Sequence, residues 1–297
     1  MHTETHRSRT SARGFRNVAL AAAAVCFTLH ANASFAGKID PLNLPGTAQL
    51  TFDDEFNTLS LWNGTTGTWD SNYWYKPPHG KGGSLNNNGE QEWYINSNYH
   101  KTKSVKPWKV SNGILTLTGN HAAKNIRPLI HNYKYTSGEI NSWQSFSQEY
   151  GYFEIRCKLP RGQGTWPAFW LLPENGEWPP EIDILEVLGN DPTTLYTSAH
   201  YELHGQEHNP GAQIKVPDTS KAFHTYGVDW EPGSLTWYFD GQQVYTLTTK
   251  KGWGFDTPMY IETNLALGGY WPGKVDKTTP FPSRMEVDYI RVYTSKP

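Results

Sequence analysis

Residues 181–186 read Glu-Ile-Asp-Ile-Leu-Glu, three carboxylates in six residues inside an apolar, β-branched run. The Ile and Leu residues favour a buried strand, whereas ionised carboxylates resist burial. Close-set carboxylates can cleave a glycosidic bond: one protonates the leaving oxygen while the other attacks the sugar or activates water. Side chains alternate along a strand, so Glu181 and Asp183 share a face. Strict alternation would place Leu185 on that face next and Glu186 on the other. One extra residue in a β-bulge near Ile184–Leu185 brings Glu186 back beside Glu181 and Asp183. The two Glu Cα atoms are then about 13 Å apart, four strand steps of ~3.3 Å. Only over a concave sheet can the two arms close to the about 5–5.5 Å that a retaining mechanism needs. Asp183 between them should raise the pKa of a neighbour.

Aromatic residues crowd this run. Gly-Thr-Trp-Pro-Ala-Phe-Trp-Leu-Leu-Pro (164–173) lies upstream, followed by Trp178-Pro179-Pro180. Indole faces stack on the apolar faces of pyranose rings, so the neighbourhood suits a sugar site. With GYFE (151–154), GTWPAFWLLP (164–173) and EIDILE (181–186), the chain resembles glycoside hydrolase family 16, the endo-β-glucanases and laminarinases. The likeness runs from FDDEF (52–56) through NNGEQEWY (87–94) and YTSGEI (135–140) to NLALGGYWPG (264–273) and VDYIRVY (287–293). Pro180 stands where many members have Gly before the first Glu. WPPEID is similar to a subset of bacterial glycanases acting on mixed-linkage or exopolysaccharide β-glucans.

The resemblance implies a β-jelly-roll sandwich with an open concave cleft and a retaining endo-hydrolase. Glu181 would be the nucleophile, Asp183 the helper and Glu186 the general acid/base. Trp170 and Trp178 would line sugar subsites, with Trp166 read as half core. Glu90 would bind sugar, ahead of Asn88 and Glu92. His200 would stand near Asp183 and Glu186, and Asn264 and Trp271 would be cleft residues. Catalysis would need no cofactor. A structural Ca²⁺ on the convex face would take Asp288 as a ligand, with backbone oxygens completing its shell. His204 and His208, beside Glu202 and Glu207, fit a polar turn better than a metal centre.

The elements that must hold these residues read as short strands. Ile114–Thr118 follows the turn Asn112-Gly113, and 226–230 and 235–239 flank a turn at 231–234. Asp240-Gly241 makes a hairpin into 242–247. Met285, Val287, Tyr289, Arg291 and Tyr293 share one parity of a last strand. No long amphipathic helix or repeat is visible, which gives one all-β sandwich domain over 37–297. The Gly/Asn/Pro-rich loop 76–89 should rim the cleft.

Residues 1–36 read as a secretory signal: Arg7, Arg9, Arg13 and Arg16, a short apolar stretch from Val18 to Leu29, and cleavage sites after Ala33 or Ala36. Removing them takes the formal charge from −2 to −5, which argues against nucleic acid as a partner. It leaves Cys157 as the one cysteine, an inert core residue with no disulfide partner. No later run is long enough for a membrane span. The expectation is a secreted or periplasmic monomer that cuts β-1,3 or mixed-linkage β-1,3-1,4-glucan. A non-catalytic carbohydrate-binding sandwich and a transglycosylase are the alternatives. Three mutually repelling acids serve an enzyme better than a lectin.

Overall fold

A computed structural model describes residues 48–73 and 80–294. The expected leader and residues 74–79 of the expected rim loop lie outside them. The described residues form two sheets of eleven and seven strands, largely antiparallel, in a β-jelly-roll sandwich. None of their helices is long and apolar enough to cross a membrane.

The seven-stranded sheet carries the acidic run. Its order is Gln206–His208, Thr194–Leu203, Glu181–Val187, Thr165–Pro173, Met259–Leu267, Glu139–Asn141, with Gly211–Lys215 also paired to Thr194–Leu203. Alternation sorts its residues cleanly. Phe169, Leu171, Ile182, Ile261 and Leu265 enter the core between the sheets. Trp166, Ala168, Trp170, Tyr260 and Ala266 stand on the other face, the cleft face. The eleven-stranded sheet closes the core with Phe153, Ile155, Trp230 and Trp237. Each such side chain contributes roughly 1.5–3 kcal/mol on burial.

The turns fall where the sequence places them. Ser111 pairs with Ile114 across Asn112 (φ 54°) and Gly113 (φ 72°). Glu231 pairs with Ser234, and Phe239 with Gln242. Cys157 is buried, and burial pushes its thiol well above the usual range, as an inert core residue requires.

The last strand departs from expectation. Its register against Gly151–Lys158 slips between Val287 and Tyr289, so Asp288 is an extra residue. Met285 and Val287 point into the core, but beyond the slip Ile290 and Val292 take over. Tyr289, Arg291 and Tyr293 therefore leave the face that Met285 and Val287 share. Asp288 itself is ion-paired with Arg156.

Candidate active site

The bulge exists, and it sits where the acidic run requires it. Along one edge, Asp183 pairs with Ser198 and Glu186 with Tyr196, so three steps on one strand match two on its neighbour. Along the other edge, Asp183 pairs with Trp170 and Leu185 with Phe169. Consecutive Ile184 and Leu185 consequently both enter the core. Glu181, Asp183 and Glu186 are left on the cleft face together.

Each carboxylate is held by a named donor. The Trp178 indole N–H donates to Glu181 Oε2 at 2.6 Å. The Trp166 indole N–H donates to Glu186 Oε1 at 3.0 Å. Asp183 Oδ2 accepts from the Ser198 hydroxyl at 2.5 Å and lies 3.2 Å from His200 Nε2. His200 Nδ1 in turn lies 3.3 Å from Glu207. Ser198 and His200 sit two residues apart on the neighbouring strand, so both reach the same face.

Burial sets the protonation states. It pushes Glu186 up to about 8, with the charge of Asp183 adding to the rise, while His200 and the Trp166 bond oppose it. Glu181 is raised well above the usual carboxylate range, first by burial and then by Asp183. For His200 burial works the other way. Hydrogen bonds to Asp183 and Glu207 and the charges of Glu181 and Asp183 outweigh it, so the imidazole is raised well above its ordinary value. Burial thus favours the acid form at both glutamates, and the imidazolium of His200 is the positive charge that draws Glu181 back toward its carboxylate form.

The remaining predicted residues gather around this centre. Trp170 is buried on the cleft face between Asp183 and Glu262, and its N–H donates to Asn264 Oδ1 at 2.9 Å. Asn264 Nδ2 donates to the Tyr94 hydroxyl at 3.0 Å. Glu90 is buried and accepts from Asn88 at 3.1 Å. Half-buried Trp271 meets Trp166 edge-on at 5.4 Å and Tyr196 at 4.8 Å. Trp166 is buried on the cleft face in a small cluster with Leu188 and Ala266, its N–H on Glu186. His204 lies on a turn and His208 stacks on Tyr201 at 5.1 Å, neither in a metal cluster among the described residues.

Glu181, Asp183 and His200 converge with ligand-type atoms within 4.8 Å of one another. Trp178 and Ser198 already donate into those carboxylates, so the trio reads as a proton-holding network.

Sequence reasoning missed several members. Ser198 was legible from its spacing to His200, but Glu207 reaches His200 only through a hairpin whose register the sequence does not advertise. A second acidic pair also faces the cleft. Glu139 and Glu262 are fully buried, and burial raises both carboxyls, Glu139 to about 8 and Glu262 well above the usual carboxylate range.

Residues 89–291 match the family model for glycosyl hydrolases family 16. The chain belongs to that family. It is 45% identical over 244 residues to the endo-1,3-1,4-beta-glycanase ExsH of Rhizobium meliloti, covering 82% of this chain and 51% of that one. It is 34% identical over 217 residues to a beta-glucanase of Rhodothermus marinus, covering 66% and 73%. The laminarinase catalytic domain from Thermotoga petrophila superposes with a TM-score of 0.67 at 35% identity, covering 84% of this chain and 99% of that one. The chain spans about half the length of the two Rhizobium meliloti glycanases it matches.

Proposed function

We propose that this family 16 chain is a secreted, endo-acting β-glucan hydrolase working by retaining double displacement. The observation that carries the reading is the bulge that returns Glu186 to the face of Glu181 and Asp183. Glu186, protonated near neutrality, gives its proton to the glycosidic oxygen as the Glu181 carboxylate attacks the anomeric carbon. The leaving saccharide departs and a glycosyl ester on Glu181 remains. Glu186, now a carboxylate, takes a proton from water, and that water breaks the ester and restores both groups. Asp183 ties Glu181 and Glu186 electrostatically to His200. Trp178 and Trp166 orient the two reacting carboxylates through their N–H groups while offering faces for sugar rings.

β-1,3 and mixed-linkage β-1,3-1,4-glucans are the proposed substrates, supported by the similarity to the rhizobial glycanases and the laminarinase. Export rests on the basic start, apolar stretch and small-residue cleavage sites of residues 1–36. The protein is incubated with mixed-linkage β-glucan and with linear β-1,3-glucan while reducing ends and product sizes are followed. Rapid chain shortening that Glu181→Gln lowers by on the order of 10³-fold or more is expected. A well-folded protein that shortens neither glucan overturns the reading and leaves the carbohydrate-binding alternative.

A further inference from the structure

Away from the catalytic centre the surface closes into a concavity of about 410 Å³. Gln91, His131, Tyr133, Tyr135, Lys134 and Lys274 contribute to its walls. The composition is unlike that of the cleft, whose titratable groups are mostly buried acids. Here two exposed lysines, a histidine and two tyrosines line one concavity. Neither Lys134 nor Lys274 is ion-paired with a carboxylate among the described residues, although the whole chain carries a formal charge of −2. Lysines without a carboxylate partner beside a concave surface are what an anionic ligand needs.

The pocket is preformed. Tyr135 stacks on Phe281 with centroids 5.2 Å apart, and Tyr133 and His131 lean on Trp93 at 5.3 and 5.1 Å. His131 and its neighbour Asn132 both hold left-handed backbone, at φ 54° and 62°. Adjacent non-glycine residues in that region cost energy that the surrounding packing must supply. Gln91 is fixed too, its side-chain oxygen accepting from Val275 N at 3.0 Å. Gly268 (φ 72°) makes room for it, since a Cβ there would lie 2.5 Å from the Gln91 side chain.

Two of its walls are linked along the chain to residues of the cleft. Gln91 lies between Glu90 and Glu92, and its N–H donates to Leu267 O at 2.7 Å, next to the cleft residue Ala266. Lys274 follows Trp271 by three residues, a reach of at most about 11 Å. A polysaccharide threaded past Trp271 can thus place a neighbouring unit or branch in the pocket. Its volume lies toward the small end of ligand pockets, about 300–1,000 Å³, and suits one or two sugar rings. With lysines and no arginine fork, it favours the single charge of a carboxylate over bidentate recognition of sulfate or phosphate.

We propose that this basic, tyrosine-lined pocket is an accessory subsite for a carboxylate-bearing sugar unit of the polysaccharide that occupies the cleft. The proposal rests on the β-glucanase reading and narrows it to chains carrying acidic units or branches.

The test uses the Glu181→Gln protein, so that binding is read without turnover. Calorimetry compares a neutral β-glucan oligosaccharide with one of the same length bearing one glucuronosyl branch. The charged oligosaccharide should bind more tightly by on the order of three- to tenfold, an advantage that salt weakens. K134A/K274A should abolish that advantage and leave the neutral affinity unchanged. Both lysines are exposed, so the fold should tolerate the change. Equal affinity for the two oligosaccharides, or an advantage that survives in K134A/K274A, overturns the subsite. Failure to bind either oligosaccharide also overturns it and shows up separately as failure of the β-glucan reading.

Discussion

The indole N–H of Trp237, on the eleven-stranded sheet, donates a 2.8 Å hydrogen bond to the main-chain carbonyl of Asp183. That carbonyl stands at the bulge in the catalytic strand, where the register to both neighbours breaks. A bulge frees backbone groups that a buried sheet must satisfy elsewhere. Trp237, fully buried between the sheets, supplies the partner from behind and so holds the catalytic face from the core.

Trp237→Phe should therefore cost about 1–3 kcal/mol in stability, the penalty for a buried polar group left unpaired. Denaturant unfolding measures it. Activity should fall as well, because the bulge that aligns Glu186 loses its support. Trp230→Phe serves as the comparison: its N–H goes to Phe255 O at 3.2 Å, away from the carboxylates. It should destabilise without a comparable loss of kcat. Equal kcat losses in the two variants would remove the special role of Trp237.

The acid/base carries its own pH signature. Glu186 is pushed up to about 8 by burial and then Asp183, so its acid form persists through neutrality. kcat/KM on β-glucan should fall on the alkaline side near pH 8. The Trp166 hydrogen bond favours the carboxylate form of Glu186. Trp166→Phe should move the alkaline limb to higher pH while raising KM through loss of a cleft aromatic. A limb that moves down, or stays put, argues against Glu186 as the group it reports.

Stability should also depend on pH, through buried acids with no assigned part in the reaction. Burial raises Asp70 to about 6 and Glu139 to about 8. A carboxyl whose folded pKa exceeds its unfolded value contributes stability that is full below the unfolded pKa. That contribution is lost as pH rises through the folded one. The melting temperature should decline between about pH 4 and pH 8, from the ordinary carboxyl values to the raised ones. Glu139→Gln cannot ionise and should melt higher than the parent at pH 9 but not at pH 5. Parallel melting curves for the two proteins across the range would contradict this.

Much of this site was legible in the sequence because the catalytic strand states its own conflict. An apolar strand with acids at 181, 183 and 186 fits one face only with an added residue, and Ile184 and Leu185 are where that residue goes. The hairpins at Asn112-Gly113 and Asp240-Gly241 were legible because each demands left-handed backbone that Gly and Asn or Asp supply. The bulge at Asp288 left no such trace, because Tyr289 and Ile290 are both acceptable core residues. Side-chain pairings across sheets were the least accessible. Nothing local joins Trp237 to Asp183 or Glu139 to Glu262, and such partners follow only once two sheets are stacked in register.

The central claim is that Glu181 carries the sugar between two displacements. A 2-deoxy-2-fluoro β-glucoside with a good leaving group slows the second step more than the first, so the ester accumulates. Mass spectrometry of the intact protein, then of its peptides, locates the adduct. The account predicts one glycosyl unit per chain, on the peptide containing Glu181 and on that residue, with matching loss of activity. An adduct on Glu186 would reverse the assigned roles. Turnover of β-glucan to initial α-anomeric products with no adduct would contradict double displacement itself.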